Sequence, residues 1–265
     1  PNLRPGADAL NYNSGKKYTI EDLLSIMEKL RAPDGCPWDR EQTHRSIRKC
    51  FIEETYEALE AIDTDDTELL REELGDVLFQ VVFHSELEKE KGTFDFSDVV
   101  DGVSRKMILR HPHVFGQTQV HGTADVLKNW DAIKQETKGQ RTQKEVLESV
   151  SKALPALMRS AKVLKKAEKA GLKQVSMKPV EEVLESAEDL KKLENGKPVD
   201  VEKSIGDLLL AVVNLSNICE IDPEEALTRS CDRFIREFGC IEESAQKQGV
   251  SLEEALEKRN GEKDV

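Results

Sequence analysis

The stretch that decides the fold reads Glu53-Glu-Thr-Tyr-Glu57-Ala-Leu-Glu-Ala-Ile62, then Asp63-Thr-Asp-Asp-Thr67, then Glu68-Leu-Leu-Arg-Glu-Glu-Leu-Gly-Asp-Val-Leu-Phe-Gln-Val-Val82. Apolar residues recur at helical spacing on both sides of the polar run. Ile47, Phe51, Ala58, Leu59 and Ile62 precede it; Leu70, Leu74, Val77, Leu78, Val81 and Val82 follow it. The spacing predicts helices over about 43–62 and 68–89, and so short a connection makes them antiparallel neighbours.

Outward from this hairpin the pattern stays helical. Thr19 reads as the cap of an earlier helix through about Leu30, with Ile20, Leu23, Leu24, Met27 and Leu30 on one side. The two prolines and the glycine of residues 31–39 then break it. A fourth helix is expected from about Ser97 to just before Pro112, and another carries Trp130 and Lys134. Nine prolines, 5% aromatics and no convincing strand pattern make the expected class all-α.

The hairpin pattern also recurs. Glu73-Leu-Gly-Asp-Val-Leu-Phe-Gln-Val-Val82 lines up with Ser204-Ile-Gly-Asp-Leu-Leu-Leu-Ala-Val-Val213, and Asp95 to Arg110 aligns more faintly with Asp222 to Glu237. The chain therefore reads as two tandem helical-bundle copies. On this reading residues 1–17 are a mobile polar tail, 18–137 a first copy, 138–152 a linker or solvated connecting helix, and 153–265 a second copy.

Of the 265 residues, 38% are hydrophobic and 34% charged, too apolar for disorder. No apolar run approaches the roughly 20 residues of a membrane span. The polar start lacks a secretory pattern, and Cys36, Cys50, Cys219, Cys231 and Cys240 form neither a Cys-x-x-Cys pair nor a zinc-ligand spacing. The expectation is a cytoplasmic protein with reduced, mostly buried thiols. A net charge of −13 argues against a stable nucleic-acid complex, so a phosphate ligand would need a cation to screen it.

Between Glu53 and Asp76 stand eleven acidic side chains and one base, Arg71. A solvated helix face accounts for Glu60, Asp63, Asp65, Asp66 and Glu68. Glu53, Glu54 and Glu57 instead share one side of the first helix, and Glu73 and Asp76 one side of the second. Asp76 stands among Leu74, Val77, Leu78 and Phe79, where an uncompensated carboxylate is costly. Converging hard-oxygen ligands suit Mg²⁺ and offer nothing soft for zinc.

Glu53-Glu-Thr-Tyr-Glu57 with Glu73-Leu-Gly-Asp76 resembles the EExxE…ExxD signature of the all-α nucleoside triphosphate pyrophosphohydrolases. Gly35-Cys-Pro-Trp-Asp39, Phe79-Gln-Val-Val-Phe83 and Arg110-His-Pro-His-Val-Phe-Gly116 make the chain similar to the MazG branch over about residues 18–137. The resemblance implies hydrolysis of nucleoside triphosphates to monophosphate and pyrophosphate, with Glu53, Glu54, Glu57, Glu73 and Asp76 holding Mg²⁺. It implies water attack at the α-phosphorus, Glu53 or Glu54 taking the proton. Lys106 and Arg110 match the family's phosphate-binding pair, Trp130 and Lys134 its Trp-x-x-x-Lys element. A homodimer and a broad range of bases complete the expectation.

His111 and His113 around Pro112 read as a structural turn. In the second copy the five carboxylates become Glu185, Ser186, Asp189, Ser204 and Asp207, Lys106 becomes Arg233, and Arg110 becomes Glu237. That copy is expected to be degenerate and mainly structural, with Asp207 a buried relic needing a partner such as Arg233. A di-iron bundle would need two Glu-x-x-His elements where only Glu41-Gln-Thr-His44 occurs. A non-catalytic docking module would have no reason to embed Asp76 among apolar residues.

Overall fold

Thr19 opens the first helix, α1 (Ile20–Arg31), by a reciprocal cap: the Asp22 amide donates to Thr19 Oγ1 at 3.3 Å, and the Thr19 amide donates to Asp22 Oδ2 at 2.9 Å. The computed structural model describes residues 15–137, 139–171, 178–193 and 197–263. Residues 1–14 of the expected tail, residue 138 of the expected linker, and 172–177, 194–196 and 264–265 of the second copy lie outside the described residues. Those described are helical and turn, with no strand among them. They divide into two units between Trp130 and Asp131.

In the first unit α1 leads through a tight loop to α2 (Pro37–Glu41), with Pro37 at its first turn. Gly35 is required there, because a Cβ would stand 2.3 Å from the carbonyl oxygens of Lys29 and Leu30. Arg31 joins three elements: it donates to the Asp39 carbonyl, pairs with Glu90 at 2.5 Å, and covers the Phe83 ring. Next come α3 (Arg48–Asp63) and α4 (Thr67–Lys91), the expected antiparallel hairpin. Its turn runs through Asp65 at φ 54° to Asp66, which accepts from the amides of Glu68 and Leu69.

The core of this unit gathers Met27, Ile47, Val82, Phe83 and Leu87, with Ile20, Leu23, Leu24, Phe79 and Phe96 against it. Two expectations about α3 need correction. It begins at Arg48 rather than near Thr43, because Thr43 and Ser46 exchange side-chain and backbone hydrogen bonds in a turn that competes with helix. Of its predicted apolar side, Ile47 and Ala58 are buried, but Phe51, Leu59 and Ile62 are exposed in the single chain. After Gly92, in the left-handed conformation at φ 71°, follow α5 (Phe96–Arg110), α6 (Pro112–Phe115) and α7 (Thr123–Thr137), the last containing the division between units.

The second unit holds α8 (Gln143–Glu148), within the stretch read as a linker or connecting helix, then α9 (Ala156–Lys169), α10 (Pro179–Lys192), α11 (Pro198–Ile218), α12 (Pro223–Gln248) and α13 (Leu252–Lys263). The order repeats the first unit: one helix, a hairpin of two, then another helix. Val213 and Ala245 are buried, as are Ala161 and Ala167 on α9. Asn217 donates to the Ala161 carbonyl at 3.2 Å and ties α11 to α9. None of the five cysteines is paired or buried: Cys36 and Cys50 are half-buried, while Cys219, Cys231 and Cys240 are exposed on the amphipathic second unit, which corrects the expectation of mostly buried thiols.

Candidate active site

The α3–α4 hairpin gathers three carboxylates. Glu54 and Glu57, three apart on α3, meet Glu73 of α4, and one ligand oxygen from each lies within 4.8 Å of the others. Glu73 is 7% exposed, and its Oε2 is buried without a hydrogen-bond partner. Burial first, then the charges of Glu57, Asp76 and Glu54, push the Glu73 carboxyl above its usual range. Burial and then Asp76, Glu57 and Glu53 do the same to Glu54. Carboxylates forced together in this way call for positive charge between them.

Asp76 stands one turn beyond Glu73 and contributes charge to both groups, but it is exposed. Its apolar sequence neighbours do not cover it: Leu74 and Leu78 are themselves exposed. The buried carboxylate is therefore Glu73, not Asp76. Glu53 points to Lys49, 2.9 Å away, and is outside the close trio.

The trio fits a divalent ion with hard-oxygen ligands. Two oxygens on one magnesium are at most about 4.2 Å apart, given metal–oxygen distances of about 2.1 Å, so a small contraction would close the set. The orphaned oxygen of Glu73 is the observation that favours a cation over a merely solvated acidic face.

The expected phosphate-binding residues occupy other elements. Lys106 is exposed on α5. One turn later the Arg110 guanidinium lies over the Trp130 ring at 5.4 Å, with its Nε buried and without a hydrogen-bond partner. His111 meets Trp130 edge-on at 4.9 Å and its Nδ1 lies 2.6 Å from the Met107 carbonyl oxygen, so the His-Pro-His turn fastens Trp130 beside Arg110. Lys134 lies past the division, in a lysine-rich hollow of the second unit.

In that unit Glu182, Glu185, Ser186, Asp189 and Asp207 line a hollow of about 650 Å³ on the α10–α11 hairpin. Glu182 was not foreseen; it accepts a hydrogen bond at 3.3 Å from Asn214, a buried residue at the position of Phe83 in the first copy. Among the described residues, the trio of Glu54, Glu57 and Glu73 is the one group of acids, histidines or cysteines close enough to share an ion. Asp207 is exposed rather than a buried relic, and Arg233 donates to Ser230 at 2.6 Å. Sequence reading also missed the contact of His44 with His84, 2.7 Å between Nδ1 atoms, and with Glu88, because it joins residues forty and more apart.

The profile of the MazG nucleotide pyrophosphohydrolase domain matches residues 42–115 and 173–237, which contain the two hairpins. The chain belongs to the MazG family. It is 42% identical to the nucleoside triphosphate pyrophosphohydrolase/pyrophosphatase MazG of Thermotoga maritima, over 89% of this chain and 90% of that protein. The nucleoside triphosphate pyrophosphohydrolase of Escherichia coli K12 is 39% identical over 88% of the chain and 90% of its own length. The uncharacterized protein YabN of Bacillus subtilis is 44% identical over 89% of this chain, which spans 48% of that relative. Three of the five signature carboxylates, Glu54, Glu57 and Glu73, are the ones that meet on the first hairpin.

Proposed function

We propose that this chain hydrolyses nucleoside triphosphates to nucleoside monophosphate and pyrophosphate at the α3–α4 hairpin. The observation that carries the reading is the convergence of Glu54, Glu57 and Glu73 around an unpartnered buried oxygen, in a chain whose relatives bear the name of this activity.

Glu54, Glu57, Glu73 and Asp76 would hold Mg²⁺, with Glu53 at the edge of the set. The ion would neutralise the triphosphate and lower the pKa of a bound water. The water oxygen forms a bond to the α-phosphorus as the bond to the bridging oxygen breaks, and pyrophosphate leaves. A carboxylate takes the water's proton; the engagement of Glu53 with Lys49 favours Glu54 over Glu53 for that role. Lys106 and Arg110 receive phosphate oxygens, and Trp130 orients Arg110. No base-specific donor stands out, which supports a broad range of bases.

Residues 18–137 form the catalytic part in this reading, and 153–265 a mainly structural second copy in which Ser186 and Ser204 replace two carboxylates. The protein acts as a homodimer. Ile52, Tyr56 and Leu59 form an exposed stripe on α3 and Leu74 and Leu78 another on α4, an apolar face that a second copy would cover. A strongly acidic chain with unpaired cysteines suits the cytoplasm and disfavours nucleic-acid binding. No single helix among the described residues is long and apolar enough to cross a membrane.

The test is magnesium-dependent pyrophosphate release from a panel of nucleoside triphosphates by the intact chain, Asp76→Asn and Asp207→Asn. Loss with Asp76→Asn alone is expected. No release by the intact chain would refute the activity, and loss with Asp207→Asn alone would move the site to the second copy.

A further inference from the structure

The second unit carries a hollow of about 320 Å³ lined by α7, α8 and α9. Lys162, Lys165, Lys166 and Lys169 contribute from α9 and Lys134 from the last turns of α7. The α9 lysines stand at i, i+3, i+4 and i+7, so they share one face, while Ala161 and Ala167 enter the core from the other side. One acid, Asp131, lies in this lining, and it pairs with Lys169.

Like charges one turn apart on a helix repel, and Lys162 stands one turn from Lys166 and Lys165 one turn from Lys169, whose charge Asp131 offsets. In a chain of net charge −13 such a concentration of ammonium groups is a local reversal of sign. The amides of Gln135, Gln140 and Gln143 supply neutral donors among the cations. Among the described residues no aromatic ring lines the hollow, so none of them would stack on a nucleobase there.

We propose that this hollow binds a linear polyphosphate anion, inorganic pyrophosphate or tripolyphosphate, through its phosphate oxygens. The site lies outside the carboxylate hairpin and does not depend on the hydrolysis reading. Several ammonium groups along one wall match the repeated charge of such a chain, and their contribution weakens as salt rises.

The test is titration calorimetry of the full chain with tripolyphosphate, pyrophosphate and ATP in EDTA, which removes divalent metal from the carboxylate site. One saturable site per chain is expected, with ATP binding no more tightly than tripolyphosphate and affinity falling as salt is raised. Lys162→Glu/Lys165→Glu, two exposed positions, should weaken binding by about tenfold or more. Lys162→Gln/Lys165→Gln should lose less, and melting curves of both variants report that the fold is kept. Absence of saturable binding by the intact chain, undiminished binding by either folded variant, or a strong preference for ATP would each overturn the proposal.

Discussion

Glu57 and Glu73, on facing helices, hold carboxylate oxygens within 4.8 Å of each other, and Oε2 of Glu73 is buried with no hydrogen-bond partner. Glu57 is exposed, so the poorly solvated negative charge of this pair is that of Glu73.

Replacing Glu73 by Gln keeps the shape and removes one charge. Pyrophosphate release should fall at least about a hundredfold, the scale on which loss of one preorganised electrostatic group acts. The same variant, freed of repulsion, should melt at a higher temperature than the parent in EDTA near neutral pH. Lower activity with an unchanged or lower metal-free melting temperature would show that Glu73 is not a strained ligand.

The response to magnesium should depend on pH. Glu54 and Glu73 have pKa values raised above the usual 4.5, so the folded state binds their protons more readily than the unfolded state does. Their contribution to stability is fully present below that value and is lost as pH rises through the folded pKa. A cation replaces those protons. Thermal melting should therefore show a larger gain from magnesium at about pH 7 than at about pH 5; equal gains would contradict the assignment.

Gly35→Ala should destabilise the first unit by about 1–3 kcal/mol, the usual range for overpacking, because the added methyl meets two backbone carbonyls that no side-chain rotation can move. Urea unfolding checks this. The loss should appear in the midpoint, with the slope unchanged.

Glu88 gives the opposite pH dependence to Glu54 and Glu73. Hydrogen bonds from Lys91, Thr93 and His44 hold its carboxyl down at about 2. Its contribution is present above the usual 4.5 and lost as pH falls through the folded value. Glu88→Gln should lower the melting temperature at neutral pH, and the gap from the parent should close as the solution approaches about pH 2.

Much of the fold was legible in the sequence because local rules fixed it. Thr19, Asp66 and Asp95 cap helices, Gly92 ends one, and the apolar period located the hairpin. Periodicity could not tell an apolar residue that meets the core from one left exposed: Val82 is buried, while Leu74 and Leu78, in the same pattern, are not. For the same reason the costly carboxylate was sought at Asp76 when the structure buries Glu73. The short turn makes the two helices antiparallel and brings Glu54 and Glu57 to Glu73, while Glu53 and Asp76 of the same two sets stay outside the close trio. The His44–Glu88 contact and the lysine hollow depend on tertiary placement and left no local trace.

The serines at 186 and 204 have a consequence for how the molecule responds to its surroundings. On the first hairpin the crowded carboxylates of Glu54, Glu57 and Glu73 repel one another unless protons or a cation stand between them. On the second, hydroxyls occupy two of the corresponding positions, and that source of dependence is reduced. When divalent ions run short, loosening should begin at the first hairpin while the duplicate keeps its packing. The repeat thus sets a half whose local order a cation can shift beside a half in which fewer like charges face one another.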